Sequence, residues 1–196
     1  CGHGSSSGNE LLPRRVEALT GVRARSASAG AVHSLVVTEE GALYSFGKGG
    51  DGRLGHGSVD DEHSPKMVDA LRHVRIAAAA AGECHSLALA EDGTVFSWGS
   101  NVVSNSYGHL GLGRCGGREP SPQRVEALSG IKVCFVATGE DTSFSVTAAG
   151  ELFAWGNGTC GRLGHGDAAV QLAPRRVEAL QDEWVVAVSA GTAHTI

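Results

Sequence analysis

The sequence predicts an all-β fold, a β-propeller of four-stranded blades that forms part of a ring. The main observation is a seven-residue segment, Pro-x-x-Val-x-x-Leu, that occurs four times along the 196 residues. Its prolines lie 52, 57 and 52 residues apart, at Pro13, Pro65, Pro122 and Pro174. A repeat of about fifty residues is typical of propeller blades and of long solenoid units. The repeat therefore decides the fold class before any search for an active site.

Other landmarks recur with the same spacing. A glycine that follows a run of small residues occurs at Gly30, Gly82, Gly139 and Gly191. An aromatic residue followed by glycine occurs at Phe46, Trp98 and Trp155. A Leu-Gly-x-Gly segment then begins at Leu54, Leu110 and Leu163. The leucine follows the aromatic residue after eight, twelve and eight positions, so the segment between Trp98 and Leu110 carries four extra residues.

Each unit contains a pair of strands joined by a tight turn. In the first unit His33–Thr38 and Ala42–Phe46 flank the turn Glu39–Gly41. A glycine at the end of such a turn fits the positive φ that a hairpin requires. In the second of these strands Tyr44 and Phe46 fall on one face, which is the two-residue period of a strand.

The strands on either side of this hairpin are assigned from composition. A segment of small residues, such as Ala78–Gly82, precedes each hairpin and predicts an innermost strand crowded near the central axis. Alanine favours helix, but each stretch is short, ends in glycine and leads into a β-branched hairpin. The Pro-x-x-Val-x-x-Leu segment is expected to be outermost, since proline cannot donate to a central ladder. Each unit then becomes one four-stranded blade.

We interpret residues 1–196 as part of one propeller domain. The repeat units are predicted at 1–47, 48–99, 100–156 and 157–196, the last of them incomplete. The chain holds about 3.7 units, and we expect that it begins inside one unit and ends inside another. An open part of a ring leaves apolar faces uncovered at both end blades. We therefore expect the isolated fragment to self-associate, aggregate or fold weakly.

Composition argues against several classes of function. The net charge is −5 with acidic and basic residues interspersed, which disfavours direct nucleic-acid binding because a phosphate backbone needs a basic stripe. Five cysteines without a Cys-x-x-Cys pair indicate reduced thiols in an intracellular protein. No run of eighteen apolar residues occurs, so no membrane contact is expected. We expect a soluble protein of the cytoplasm or nucleus.

The residues that could suggest chemistry are explained better by the repeat. Gly47–Gly52 matches the Gly-x-Gly-x-x-Gly pattern, but no helix follows it to direct backbone amides at a phosphate. The histidines do not indicate a metal, because equivalent repeat positions lie one blade apart. We predict no catalytic residue, no metal site and no cofactor. The repeat positions with a predicted structural role are Gly30, Gly82, Gly139, Gly191, His33, His85, His194, His56, His165, Trp98 and Trp155.

The order of these landmarks resembles the regulator of chromosome condensation repeat. The landmarks are aromatic-Gly, a glycine turn, Leu-Gly-His-Gly, Pro-x-x-Val-x-x-Leu, Ala-Gly-x-x-His-Ser and an acidic-Gly hairpin, and they cover essentially the whole chain. The resemblance implies a seven-bladed propeller of roughly 370 residues, of which this chain supplies about half. It does not extend to the Gly-Trp-Arg-His-Thr motifs of ultraviolet-sensing members, since the first unit reads Gly-Ala-Val-His-Ser at Gly30–Ser34.

The resemblance also implies function. We expect a non-catalytic interaction platform whose loops bind a protein partner. Two alternatives stay open: guanine-nucleotide exchange on a small Ran-like GTPase, and substrate recruitment by a HECT-type ubiquitin ligase. In exchange members a wedge extends from a comparable position after Trp-Gly, but its composition differs from this chain, so only the location carries over. The candidate partner-contact loop is Asn101, Val102, Val103, Ser104, Asn105, Ser106 and Tyr107.

Overall fold

The computed structural model describes residues 2–4, 11–103 and 106–196 and is built from antiparallel strands. The strands are β1 (Ala24–Ala29), β2 (His33–Thr38), β3 (Leu43–Gly47), β4 (Glu62–Met67), β5 (Ile76–Ala81), β6 (His85–Ala90), β7 (Val95–Ser100), β8 (Val102–Val103), β9 (Ser106–Tyr107), β10 (Arg118–Arg124), β11 (Val133–Thr138), β12 (Thr142–Thr147), β13 (Leu152–Gly156) and β14 (Gln171–Arg176). Three-residue 3-10 helices lie at Glu17–Leu19, Gly50–Gly52, Asp69–Leu71, Glu126–Leu128, Thr159–Gly161 and Glu178–Leu180. Within the described ranges, no helix has the length and apolar character needed to cross a membrane.

The strands form three four-stranded sheets and one short ribbon. The first sheet holds β1 to β4 in chain order, the second holds β5, β6, β7 and β10, and the third holds β11 to β14. The ribbon consists of β8 and β9, in the segment between the third and fourth strands of the second sheet. Each sheet is one blade, and the predicted all-β fold of four-stranded blades is confirmed.

The strand of small residues is the innermost one, as predicted. β5 pairs with β6 and lies against β1 and β11, the corresponding strands of the two neighbouring blades. A Cβ atom on Gly30 would come within 2.3 Å of the carbonyl oxygen of Gly82 in the next blade. Small residues are therefore needed where the blades converge, because a larger side chain has no room there.

The proline segment differs in part from its prediction. Pro65 lies in β4, the outermost strand of the first blade, as its missing N–H requires. The strand ends at Met67, however, and Asp69–Leu71 forms a 3-10 turn in which the amide of Leu71 donates to the carbonyl of Val68 at 2.9 Å. This turn buries Val68 and Leu71 in the core between the first two blades. The valine and leucine of the segment thus belong to the core and not to the sheet.

The core lies between neighbouring blades. One cluster joins Leu35 and Val37 of the first blade to Ile76 and Trp98 of the second. Another joins the second and third blades around Trp155, and a further cluster lies between the third blade and the chain that follows it. Each blade therefore covers its apolar face against a neighbour, as repeat architectures do.

The sheets and the predicted repeat units are out of step. The unit boundaries after residues 47, 99 and 156 fall at or near the end of a third strand, so each sheet draws residues from two predicted units. Beyond Glu178–Leu180 the described chain forms a single β-bridge, between Ala190 and Thr195. The division into units stays a prediction.

Candidate interaction face

The alternating strand directions sort the connections of the blades to two ends of the sheets. One end carries the short turns after the first strands and the long loops after the third strands. The other end carries the tight hairpin turns and the 3-10 turns that lead to the next blade. We call the first end the loop face. Its segments are 30–32, 48–61, 82–84, 101–103, 106–117, 139–141 and 157–170.

In the first and third blades the long loop begins with a compact turn. Gly50–Gly52 and Thr159–Gly161 are 3-10 turns whose central residues, Asp51 and Cys160, have φ angles of 67° and 60°. A left-handed conformation at a residue other than glycine is uncommon and is kept only where the surroundings enforce it. The two loops therefore share one specific backbone path.

An arginine after each turn links its loop to a later part of the chain. Arg53 Nε donates to the carbonyl of Gly50 at 2.7 Å, and Nη1 donates to the carbonyl of Glu83 in the second blade at 2.9 Å. Arg162 follows the same pattern, with bonds of 2.9 Å to the carbonyl of Thr159 and 2.7 Å to that of Thr192. Each arginine closes its own loop; Arg53 also links that loop to the second blade, and Arg162 links its loop to the chain that follows the third blade.

The long loop of the second blade is built differently, and the candidate contact residues lie in it. Asn101 follows β7, and β8 and β9 then pair as an antiparallel ribbon. The candidate residues 102, 103, 106 and 107 are the residues of this ribbon, whereas Ser104 and Asn105 lie outside the described residues. Gly108 and His109 follow the ribbon and stand where the first blade has its glycine and arginine before Leu-Gly.

Asn101 is buried at the base of the ribbon, with 1% of its surface exposed. Its Oδ1 accepts hydrogen bonds from the amides of Gly108 at 3.0 Å and Leu110 at 3.3 Å. Its Nδ2 donates to the carbonyl of Arg114 at 2.6 Å, and its backbone amide donates to the carbonyl of Gly117 at 3.0 Å. One side chain thus connects both ends of the ribbon to the rest of the loop.

His109 is also buried, and it was not among the predicted site residues. Its Nε2 donates to the carbonyl of Ser100, and its ring centroid lies 4.6 Å from that of His85. Burial lowers the pKa of His109, while the hydrogen bond to Ser100 and the charge of Asp141 oppose the shift. The ring is therefore neutral at pH 7. The signal in the sequence is His109-Leu-Gly, which replaces the Arg53-Leu-Gly of the first blade.

The repeat histidines take part in hydrogen bonds between blades. His33 Nε2 donates to Ser86 Oγ at 2.8 Å, and Ser86 Oγ donates to the carbonyl of Arg53 at 2.8 Å. Trp98 Nε1 donates to the same carbonyl at 2.9 Å. One backbone oxygen of a loop thus accepts from a serine and a tryptophan of the next blade.

The junction between the second and third blades repeats this arrangement. His85 Nε2 donates to Ser143 Oγ at 2.9 Å, and Ser143 Oγ donates to the carbonyl of His109 at 2.7 Å. Trp155 Nε1 donates to that carbonyl at 3.0 Å. The backbone oxygen of residue 109 therefore serves the same purpose as that of residue 53, although the side chains differ.

Burial keeps these histidines neutral. Burial, together with the charge of Arg53, lowers the pKa of His33 to about 4. Burial, with smaller contributions from His109 and His33, lowers the pKa of His85 well below its ordinary value of 6.5. A neutral ring that donates through Nε2 satisfies the serine without a charge in the core.

The repeat glycines lie directly beside the residues at the histidine position. A Cβ atom on Gly82 would lie 2.4 Å from the ring of His85, and one on Gly191 would lie 2.7 Å from the ring of His194. The same atom on Gly139 would lie 2.4 Å from Oγ1 of Thr142, which replaces histidine in the third blade. Close approach of a neighbouring side chain therefore explains why glycine suits this position.

The second set of repeat histidines stays within single blades. His56 Nε2 donates to Ser45 Oγ at 3.0 Å, and Ser45 Oγ donates to the carbonyl of Leu54 at 2.6 Å. His165 Nε2 donates to the carbonyl of Ala154 at 3.1 Å. Across residues 2–4, 11–103 and 106–196, no three His, Cys, Asp or Glu side chains lie together in a way that could hold a metal ion.

The loop face is acidic near the axis. Glu83 lies in the turn after β5, and Glu140 and Asp141 lie in the corresponding turn after β11. Burial, followed by the charges of Glu140 and Asp141, raises the pKa of the Glu83 carboxyl. A partner that approaches this part of the face meets a local negative potential.

Antiparallel four-stranded blades arranged side by side, with serine and tryptophan links between them and variable loops at one end, define a repeat-built β-propeller. A family model described as the regulator of chromosome condensation (RCC1) repeat matches residues 40–89, 92–146 and 149–196. A second model of the same description matches residues 24–53. The chain belongs to this family, and the resemblance drawn from its sequence is confirmed.

Several known proteins are similar to this chain. E3 ubiquitin-protein ligase HERC2 of Homo sapiens is 38% identical over 197 residues, which cover 100% of this chain and 4% of that protein. Ultraviolet-B receptor UVR8 of Arabidopsis thaliana is 38% identical over 198 residues, which cover 100% of this chain and 43% of that protein. The solved structure of Prp20p from Saccharomyces cerevisiae is 26% identical, with a TM-score of 0.72 over 88% of this chain and 43% of that chain. The chain thus spans less than half the length of each of these proteins.

Proposed function

We propose that the chain is a protein-interaction platform without catalytic residues of its own, and that a partner protein contacts the ribbon on the loop face. The observation that carries the proposal is the ribbon itself, an insertion of four residues into one blade of an otherwise regular repeat. Loops on a rigid scaffold are where partners usually bind. The family of the chain, whose members are repeat propellers, supports the coarser part of the proposal.

The test is to replace residues 101–109 by the Gly-Gly-Asp-Gly-Arg of Gly49–Arg53. The replacement supplies a carbonyl at the residue before Leu-Gly, so the bonds from Ser143 and Trp155 should re-form and Tm should change by less than about 4 °C. Partners of the full-length protein would be identified by crosslinking mass spectrometry with both variants. We expect at least one partner to lose about 90% of its crosslinks, because a lost contact of about 1.4 kcal/mol reduces affinity tenfold. An unchanged set of partners would contradict the proposal.

A first alternative is nucleotide exchange on a small Ran-like GTPase. The solved structure of Prp20p, which resembles this chain, is described together with binding to Gsp1p and histones. An exchange factor stabilises the nucleotide-free GTPase and so lowers the barrier to nucleotide release. The full-length protein would then accelerate loss of labelled GDP from a Ran-like GTPase, and the variant with the replaced loop would not. Absence of acceleration by the wild-type protein would exclude this alternative.

A second alternative is substrate recruitment within a HECT-type ubiquitin ligase. The match to HERC2, which is named as a ubiquitin ligase, favours it, although it covers 100% of this chain and 4% of HERC2. This alternative requires a separate catalytic domain with a reactive cysteine in the same polypeptide, because ubiquitin transfer by such enzymes proceeds through a thioester. Sequencing the complete transcript tests it directly. A transcript that encodes no such domain would exclude direct ligase activity.

We place the protein in the cytoplasm or nucleus as part of the same proposal, with protein partners and without direct binding to nucleic acid or membrane. The interspersed charges argue against direct binding to nucleic acid, since acidic and basic side chains pair locally. Examples are Lys48 with Asp61 at 2.7 Å and Arg75 with Glu91 at 2.9 Å. A mixed surface of this kind offers no continuous basic stripe. Filter binding to double-stranded DNA at 50 mM salt would test the nucleic-acid part.

The chain expressed alone is expected to self-associate. Leu180 beyond the third blade is 36% exposed, whereas its counterparts Leu71 and Leu128 are each 4% exposed between blades. Trp184 and Val186, also beyond the third blade, are 69% and 74% exposed. Exposed apolar groups of this size favour association. Sedimentation velocity at micromolar concentration measures it, and a stable monomer would contradict the expectation.

A further inference from the structure

Two residues at the base of the ribbon differ in kind from their counterparts in the other blades. Asn101 replaces Gly49 of the first blade and Gly158 of the third. His109 replaces the arginine of the other two loops. Both replacements coincide with the insertion, and the side chains of both are buried at its base. These two buried side chains are therefore candidates for holding the ribbon in place.

The Asn101 side-chain amide makes three hydrogen bonds within the loop. A primary amide has one carbonyl oxygen with two lone pairs and one NH₂ group with two protons. Its oxygen accepts from the amides of Gly108 and Leu110, which follow the ribbon, and its nitrogen donates to the carbonyl of Arg114 further along. A side chain without an amide cannot make these bonds. Residue 101, which precedes β8, is thus bonded to residues that follow β9.

The backbone carbonyl of His109 keeps the hydrogen bonds between blades, whereas its side chain makes a bond that the arginines do not make. Its carbonyl accepts from Ser143 and Trp155, as the carbonyl of Arg53 accepts from its own serine and tryptophan. The arginine side chain of the first blade reaches the turn of the next blade. The imidazole instead donates to the carbonyl of Ser100, the last residue of β7. This bond joins His109 to the residue that precedes Asn101, and so adds a second connection across the base of the ribbon.

The base of the ribbon is also seated against the third blade. Gly108 has a φ of 90°, and a Cβ atom there would lie 2.7 Å from the carbonyl oxygen of Gln171 and 2.9 Å from Cα of Leu172. The amide of Gly113 donates to the carbonyl of Leu172 at 2.9 Å. The base of the ribbon therefore contacts the outer strand of the third blade, in addition to its bonds within its own loop.

We propose that Asn101 and His109 are positioning residues that present the ribbon to a protein partner in one orientation. This inference rests on the proposed function, because it concerns how the ribbon binds. A contact element that is already ordered loses less conformational entropy when the partner binds. Neither residue needs to touch the partner, since both side chains are buried.

The first test compares Asn101→Ala with Ser97→Ala. Ser97 is equally buried in β7 and donates to the carbonyl of Leu110 at 2.7 Å, so both variants remove a hydrogen bond to the same segment. Hydrogen–deuterium exchange mass spectrometry of the full-length protein follows the peptide that spans 106–110. We expect exchange there to be about tenfold faster in Asn101→Ala, from the loss of buried bonds, and near wild-type in Ser97→Ala. Equal exchange in both variants would overturn the proposal.

A second pair of variants separates positioning from simple support of the fold. His109→Gln keeps a neutral donor for the carbonyl of Ser100, whereas His109→Leu does not. We expect the glutamine variant to exchange at the wild-type rate at 106–110 and the leucine variant to exchange faster there. If leucine and glutamine behave alike, the imidazole bond does not hold the ribbon and its part of the proposal fails.

The crosslinking experiment with the replaced loop distinguishes failure of this inference from failure of the proposed function. We expect the partner that depends on the ribbon to lose several-fold in crosslinking yield with Asn101→Ala and little with Ser97→Ala. If the replaced loop abolishes crosslinks but Asn101→Ala leaves them unchanged, the proposed function stands and the positioning inference is overturned. If the replaced loop itself changes nothing, the proposed function is contradicted.

Discussion

The long loop of the second blade and the long loops of the first and third blades begin from the same position and end at the same Leu-Gly, yet they are built in two ways. Arg53 reaches a carbonyl of the second blade and Arg162 a carbonyl of the chain beyond the third blade, whereas His109 bonds back to Ser100 of its own blade. The carbonyl of residue 53 and that of residue 109 nevertheless accept from the same kinds of donor. The serine and tryptophan bonds between blades therefore depend on a backbone oxygen of the loop, so the side chain at that loop position can differ from blade to blade.

The largest effect is expected where the shared link is removed. Trp98 and Trp155 are fully buried and donate to the loop carbonyls of the preceding blades. Trp98→Ala and Trp155→Ala should each lower the free energy of unfolding by about 3–5 kcal/mol, as expected for deletion of a buried aromatic side chain. Urea denaturation followed by circular dichroism measures this. A large loss at one junction and almost none at the other would show that the two loop types do not carry equivalent links.

The second effect concerns pH. The pKa of His33 is about 4 in the folded protein and about 6.5 when exposed, so between these values the unfolded chain binds a proton that the folded protein does not. Stability should therefore fall as pH decreases through 6.5 towards 4, by about 3 kcal/mol for this residue. His85 acts in the same direction, since its pKa is also lowered.

The matched variant for this prediction is His33→Gln. Glutamine can still donate to Ser86 but does not titrate, so its stability should vary less between pH 6.5 and pH 4 than that of the wild type. Thermal melts at a series of pH values provide the measurement. A steeper decline in the variant than in the wild type would contradict the assignment of the acid sensitivity to His33.

The third effect sharpens the equivalence of the two junctions. Ser86→Ala leaves the ring of His33 and the carbonyl of Arg53 short of one hydrogen bond, and Ser143→Ala does the same to His85 and His109. Each change should lower the free energy of unfolding by about 1–3 kcal/mol, because buried polar groups lose a hydrogen-bond partner. The two values, measured by denaturant unfolding, should agree within about 1 kcal/mol. A disagreement larger than this would mean that the ribbon-bearing loop weakens its junction.

The smallest effect is expected at the surface of the first loop. Arg118 in β10 forms an ion pair of 3.1 Å with Asp51, a position at which the third blade has Cys160. The Arg118 side chain is 61% exposed, so Arg118→Ala should change the unfolding free energy by less than about 1 kcal/mol. The difference should vanish in 1 M salt, where exposed charges are screened. A loss above 2 kcal/mol would show that the pair, and not the arginine-to-backbone bonds, stabilises this loop.

Much of the fold could be predicted because its signals are local and repeated. The small-residue strand, the glycine turn and the edge proline each follow from backbone sterics and hydrogen bonding within a few residues. The sequence did not predict the 3-10 turn at Asp69–Leu71, since the Pro-x-x-Val-x-x-Leu pattern contains no signal for the end of its strand. Burial of Val68 and Leu71 against the next blade decides that.

For the candidate site the sequence by itself determined where the four extra residues fall and which seven residues form the candidate loop. The tertiary structure alone decided what holds it. Asn101 and Arg114, or His85 and Ser143, become partners only when the chain has folded through a loop or a whole blade. Such pairs leave no local pattern, because a hydrogen bond between residues 58 positions apart depends on the stacking of blades and not on neighbouring residues. The repeat therefore specified the blades, whereas the folding of the loop and the packing of one blade on the next decided which residues contact one another at the base of the ribbon.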